Sequence, residues 1–204
     1  MKVIVLASAK GGVGKSTLSA HLAIAAEAAG AGPVVLLDTD PQASLSKWWN
    51  KRQAETPGFA GIKGGLAATL AGLAKSGMAL AIVDTPPALS ASIEATVATA
   101  DLVLIPVTPS PIDLEAVGST VSIVVAAKRQ SAFVVNKAKR NSLLTADTAD
   151  ALQRHGEVAP VLVEDRLDYR TGMIQGNTAQ EYAPKGKAAV EMRDLWAYVA
   201  RRLS

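Results

Sequence analysis

Three short stretches of this chain combine residue types that can do chemistry. The first is Ala9-Lys10-Gly11-Gly12-Val13-Gly14-Lys15-Ser16-Thr17. Its glycines let consecutive backbone N–H groups turn to one side and form an anion nest, to which a helix starting near Ser16 adds the positive end of its dipole. Lys15 is spaced to reach terminal phosphates, and the Ser16 hydroxyl is a ligand for Mg²⁺. A glycine-rich turn with a solvated lysine is the plainer alternative, but a strand-like run precedes this segment and a helix-like run follows it. The second stretch is Asp38-Thr39-Asp40-Pro41-Gln42. Two carboxylates on one side of an extended segment suit a site that handles a metal and a water. Equally, Asp40 before Pro41 suits the N-cap of a following helix. The third is Asp84-Thr85-Pro86-Pro87. A carboxylate here can hold Mg²⁺ through water, and the two prolines keep the loop extended where it can sense a γ-phosphate.

The elements around these stretches give them a common address. Apolar, β-branched runs (Val3–Leu6, Val34–Leu37, Leu80–Val83, Leu102–Val107, Phe133–Val135, Val161–Val163) alternate with helix-like segments at Thr17–Ala29, Ser44–Gln53, Leu114–Lys128, Thr145–His155 and Lys187–Leu203. Strands that are apolar throughout are buried on both faces, as in a parallel sheet with helices on each side. The pattern predicts an α/β fold: a doubly wound, mostly parallel sheet flanked by helices, in one domain spanning 1–204. Pro57 to Gly65 reads as a loop with a possible edge strand. In such sheets ligands sit beyond the carboxyl ends of the strands, where all three stretches fall.

Composition narrows the chemistry. The 204 residues contain no cysteine, which excludes a disulfide framework, a Cys-bound zinc and an iron–sulfur cluster. The longest run without a charge is the twelve residues Ala116–Ala127, short of a membrane span. No basic leader with an apolar stretch precedes the first strand, so a cytoplasmic location is expected. The net charge of +3 is unevenly spread: residues 1–127 carry 8 Lys/Arg against 9 Asp/Glu, and 128–204 carry 13 against 9. That basic C-terminal excess can attract phosphate backbones, although an ordinary solvated surface gives the same count.

The loop at 9–17 places Ala and Lys where the common phosphate loop G-x-x-x-x-G-K-[ST] has Gly and any residue. This K-G-G-x-G-K-[ST]-T form resembles the deviant Walker A loop of the ParA/MinD/Soj ATPases, a branch of the P-loop NTPases. Asp38–Gln42 is similar to the D-x-D-P-Q segment of that family, and Asp84–Pro87 to its Walker B carboxylate and switch II turn. The resemblance implies ATP and Mg²⁺ as ligands and slow ATP hydrolysis. It implies that Gly11, Gly12, Val13, Gly14, Lys15, Ser16 and Thr17 bind nucleotide, and that Asp40 positions the attacking water. Asp84, and Asp38 through water, would serve the magnesium. It further implies that Lys10 reaches across a nucleotide-sandwich homodimer to the partner's phosphates, a cation supplied in trans. Thr108-Pro109-Ser110-Pro111 matches a segment that lines nucleotide and dimer face, so Pro109 is a candidate contact. Asn136 matches an asparagine that hydrogen-bonds the adenine edge. Val163-Glu164-Asp165-Arg166 departs from the Ile-Pro-Arg-like stretch of relatives.

Without a helix-turn-helix before its first strand, the chain is similar to the short partition ATPases of plasmids. These bind DNA without sequence preference as ATP dimers, and a ParB-like centromere-bound adaptor stimulates their hydrolysis. Candidate DNA contacts are Arg166, Arg170, Lys185, Lys187, Arg193, Arg201 and Arg202. Aromatic residues make up only 4%, which favours duplex phosphate neutralisation over base stacking on single strands. Alternatives are a MinD-like membrane-associated regulator, a positioner of carboxysomes or chemoreceptors, and a nucleotide-dependent filament protein. Val190, Leu195, Trp196, Val199 and Leu203 form an apolar stripe at the spacing of a helix packed on its own domain, so no stable membrane association is expected.

Overall fold

The computed structural model describes residues 1–87 and 91–204. Seven strands form one sheet: β1 (Lys2–Leu6), β2 (Val34–Asp38), β3 (Gly58–Phe59), β4 (Leu80–Asp84), β5 (Leu102–Val107), β6 (Gln130–Ala138) and β7 (Val163–Glu164). Their order is β3-β2-β4-β1-β5-β6-β7, and every pairing is parallel. From β1 the chain passes to β2 and the edge strand β3, returns to place β4 beside β1, and then runs outward through β5, β6 and β7, so its direction reverses around β4, β1 and β5.

Alternate side chains of each strand feed two separate cores. Ile4, Leu6, Leu36, Ile82 and Leu104 pack on one face against α1 (Lys15–Ala28), α2 (Ser44–Trp49) and α9 (Lys187–Leu203). Val3, Val5, Leu37, Val83 and Ile105 pack on the other against α3 (Leu66–Lys75), α4 (Ala91–Val97), α5 (Pro111–Ala126) and α6 (Leu143–Gln153). Two covered faces are what the unbroken apolar strands require. Two short helices, α7 (Leu167–Ile174) and α8 (Ala179–Tyr182), link β7 to α9.

Several boundaries differ from the sequence expectation. Helix α5 starts at Pro111, not Leu114, because proline at the first helical position has its φ already set. Helix α2 stops at Trp49, where Lys51 and Arg52 turn back onto the carbonyls of Trp48 and Trp49. Strand β6 extends from Gln130 to Ala138, well beyond Phe133–Val135. The edge strand expected between Pro57 and Gly65 is β3. In α9, Leu195, Trp196, Val199 and Leu203 are buried in the core and Val190 is exposed, so most of the apolar stripe is consumed by packing. Among the described residues no helix is long and apolar enough to cross a membrane.

Candidate nucleotide site

The sheet register brings the three sequence stretches level. Asp84 pairs with Leu6 on one side and with Asp38 on the other. Thr39 donates twice to the Asp84 carbonyl, from N at 2.9 Å and from Oγ1 at 2.7 Å, and Thr85 Oγ1 donates to the Leu6 carbonyl at 2.8 Å. The segments after β1, β2 and β4 are therefore fastened together at one end of the sheet.

The loop between β1 and α1 turns at Gly12 (φ +77°) and Gly14 (φ +95°), conformations that glycine adopts without penalty. Gly14 is needed twice over, since a Cβ there would lie 2.3 Å from Asn136 Nδ2. Lys15 is buried, and its Nζ donates to the carbonyls of Lys10 (3.2 Å) and Ser8 (3.4 Å). Burial lowers its pKa, and the nearby carboxylates of Asp84 and Asp40 oppose that shift.

Asp84 is fully buried. Its Oδ2 accepts the Ser16 hydroxyl at 2.5 Å, and its Oδ1 has no hydrogen-bond partner among the described residues. Burial pushes this carboxyl up to about 7. The Ser16 hydrogen bond pulls it down, Asp38 and Asp40 add repulsion, and Lys15 opposes them. An orphaned carboxylate oxygen beside a serine hydroxyl is a fitting donor set for Mg²⁺, which takes one or two protein oxygens and completes its shell with water and phosphate. Among the described residues no cluster of three or more His, Cys, Asp or Glu offers a closed metal cage.

The two carboxylates after β2 divide their work. Asp38 accepts from Asp40 N (3.0 Å) through Oδ1 and from Ser46 N (3.0 Å) through Oδ2. It thereby satisfies an amide in the first turn of α2, whose N-cap residue, Ala43, contributes no side-chain cap. The capping role that the sequence left open for Asp40 thus falls to Asp38. Each Asp38 oxygen accepts one backbone N–H, so this carboxylate supports the loop and keeps further lone pairs for water. Asp40 uses Oδ1 for Gln42 N (2.9 Å) and lines the cavity.

That cavity, about 420 Å³, has a phosphate-loop end lined by Gly11, Gly12, Gly14 and Lys15 to Thr17, with Asp40 and Pro87 opposite. The rest of its lining includes Asn136, Lys137, residues 163–166, Tyr169 and Arg170. Pro109 does not line it. The side chains of Val13 and Lys10 line a separate crevice beside β5 and α5. The Lys10 ammonium lies 3.9 Å from Asp113 Oδ1 on α5, and the other Asp113 oxygen accepts the Thr108 hydroxyl. Asn136, expected at the adenine edge, is buried and donates from Nδ2 to the Val13 carbonyl at 2.6 Å. One of its two amide hydrogens is thereby given to the phosphate loop.

The description "CobQ/CobB/MinD/ParA nucleotide binding domain" belongs to a family model that matches residues 4–173. The chain belongs to this family. It is 30% identical over 209 residues to the Maintenance of carboxysome distribution protein A of Halothiobacillus neapolitanus, covering 92% of this chain and 91% of that protein. Its fold is similar to a plasmid partition protein from Borrelia burgdorferi bound to AMPPNP (TM-score 0.79, 18% identity, 98% and 99% of the chains). It is similar also to the septum site-determining protein MinD of Pyrococcus horikoshii complexed with Mg-ADP (TM-score 0.76, 18% identity, 97% and 95%). The fold shared with these ParA/MinD-type structures is the one expected from the alternation of strands and helices.

The seven cations proposed for DNA do not share one face. Arg166 and Arg170 line the nucleotide cavity and are held by carboxylates: Arg166 by Glu191 (2.6 Å) and Glu164 (2.8 Å), Arg170 by Asp165 (2.9 Å). Arg201 and Arg202 end α9 beside Leu203 and Ser204, which adjoin Lys2 and Leu80 at the amino ends of the central strands β1 and β4, and Arg202 pairs with Glu157. Lys185, Lys187 and Arg193 remain together around the start of α9, with Arg193 Nη1 donating to the Pro184 carbonyl at 3.1 Å. Charge counts could not separate these groups, because ion pairing is a property of the fold.

Sequence reading missed His21, Lys137 and Tyr169, all of which line the cavity. His21 is fully buried; its Nδ1 donates to the Thr17 carbonyl (2.7 Å) and its Nε2 accepts from Ala179 N (2.9 Å). Tyr169 OH donates to Glu191 Oε2 at 2.7 Å. Partners 22 and 158 residues away in the chain leave no local signal.

Proposed function

We propose that this chain is a cytoplasmic, Mg²⁺-dependent ATPase that pairs with a second copy around ATP, holds duplex DNA without sequence preference in that state, and partitions plasmid DNA. The observation that carries the reading is the convergence of Lys15, Ser16 and Asp40 on one cavity of nucleotide size, with Asp84 buried behind Ser16 and one of its oxygens without a hydrogen-bond partner among the described residues, while Lys10 faces away from that cavity. A lysine that turns from its own phosphates is available to another subunit's.

Magnesium, when held by Ser16 and by Asp84 through water, neutralises charge on the β- and γ-phosphates. The chain's own residues do the rest. Loop amides receive the phosphates, and Lys15 exchanges its two loop carbonyls for phosphate oxygens. Asp40 orients the attacking water. Lys10 of a second copy leaves Asp113 and offsets charge on the transferring phosphoryl group. Pairing two copies doubles the basic surface around Lys185, Lys187 and Arg193 and raises DNA avidity by effective concentration. A centromere-bound adaptor that stimulates hydrolysis then frees the DNA.

A second cargo, the carboxysome, is favoured by the near full-length similarity to a carboxysome distribution protein. Sedimentation of the purified protein with ADP, then with a non-hydrolysable ATP analogue, each with and without duplex DNA, tests the common core. A dimer that forms only with the analogue and then takes up DNA is expected. A monomer in every condition would reject it. Loss of a resident plasmid on deletion of the gene separates the partition reading from clustering of carboxysomes.

A further inference from the structure

The cavity wall formed by β6 and β7 contains a backbone irregularity. Asn136 pairs with Val163 and Ala138 with Glu164, so Lys137 is an extra residue bulged out of the β6–β7 ladder. It holds φ +52°, a left-handed conformation that is costly for a residue with a Cβ. In a regular strand the side chains of 136 and 137 would point to opposite faces. The bulge re-aims the second of them. Both then meet the phosphate loop: Asn136 Nδ2 donates to the Val13 carbonyl at 2.6 Å, and Lys137 Nζ to the Gly12 carbonyl at 2.7 Å.

These are consecutive peptide units. A trans peptide plane sets the N–H opposite the C=O, so fixing the Gly12 and Val13 carbonyls toward β6 turns the N–H groups of Val13 and Gly14 the other way. Left untethered, the peptide after Gly12 would sample several orientations, since glycine tolerates either sign of φ. A ligand would have to order it on binding.

We propose that the Lys137 bulge is a positioning device for the phosphate loop. Its strained backbone delivers an ammonium to Gly12 and, with Asn136, aims two donors of the anion nest before any nucleotide arrives. The inference rests on the reading that this cavity takes a nucleotide. Because loop amides cradle the α- and β-phosphates, ADP and ATP should depend on the bulge equally.

Calorimetric titration of ADP and of a non-hydrolysable ATP analogue into wild type, Lys137→Met, Lys137→Arg and Lys137→Gly tests it. Lys137→Met, which keeps the length and loses the donor, is expected to weaken both nucleotides by the same factor, about tenfold for one charge-assisted hydrogen bond. Lys137→Arg should recover most of that loss. Lys137→Gly relieves the left-handed strain, so its nucleotide-free melting temperature should stay level or rise while its affinity falls with Lys137→Met. A merely structural residue would lose both together. Wild-type affinity in Lys137→Met, a loss confined to the ATP analogue, or a loss that vanishes at high salt would each overturn the positioning role. Failure of the wild-type protein to bind either nucleotide would instead overturn the nucleotide reading of the cavity.

Discussion

Acidification should weaken this fold through one buried histidine. His21 lies on α1 between the phosphate loop and α8, with Nδ1–H donating to Thr17 O and the bare Nε2 receiving the Ala179 N–H. A second proton would set a donor against a donor in a site without solvent access. Burial therefore lowers the pKa from 6.5 to about 4, against the Thr17 hydrogen bond and the Glu181 charge, which favour the cation. The unfolded chain takes up a proton near 6.5 and the folded chain does not. The stability His21 contributes is thus intact above pH 6.5 and is lost as pH falls toward 4, amounting to about 2 kcal/mol by pH 5 and about 3 kcal/mol by pH 4. Urea unfolding of wild type and His21→Gln between pH 7.5 and 5 isolates this contribution, because all other groups cancel in the comparison. The wild type should lose about 2 kcal/mol more than the variant. Parallel stability curves would refute the neutral, doubly bonded imidazole.

Other perturbations have equally definite outcomes. Gly14→Ala places a Cβ on Asn136 Nδ2 at φ +95°, so it should displace the loop and abolish measurable nucleotide binding in a calorimetric titration. Asp84→Asn removes a carboxyl that burial has pushed up to about 7. A raised acid opposes folding above its unfolded value of 3.8, so the metal-free variant should be more stable than wild type at pH 7, by up to about 4 kcal/mol, while its nucleotide binding loses Mg²⁺ dependence. Arg52, with its side chain 3% exposed, makes a bidentate pair with Glu181 and donates to the Gly176 and Thr56 carbonyls. Arg52→Ala should cost about 1 to 2 kcal/mol in urea unfolding, since four hydrogen bonds, two of them to a half-exposed carboxylate, are lost together. Lys15→Ala should remove ATP binding, measured by filter retention of labelled nucleotide.

The legible parts of this chain are those whose meaning is local. The phosphate loop, the aspartates after β2 and β4, and the unbroken apolar strands are each defined within about ten consecutive residues, and the parallel sheet follows from them. Helices α3 and α7 escaped because each buries little: Leu70 alone in α3, Tyr169 and Gly172 in α7. Asp38 and Asn136 each make a contact that no local pattern announces, with Ser46 N and Val13 O, whose proximity only the folded sheet creates. The sequence offers Arg166 only as a candidate DNA contact, because Glu191, 25 residues later, reaches it only through the packing of α9 beside β7.

Hydrolysis by mixed variants bears most directly on the central claim, that a lysine from one copy completes the site of another. Lys10→Ala keeps its own Asp40 but offers no cation to a partner, and Asp40→Ala keeps the cation but cannot orient water. Each alone should be inactive, and an equal mixture should regain ATP turnover, because one of the two sites in a mixed dimer is whole. Full turnover by Lys10→Ala alone, or a mixture as inactive as its components, would contradict it.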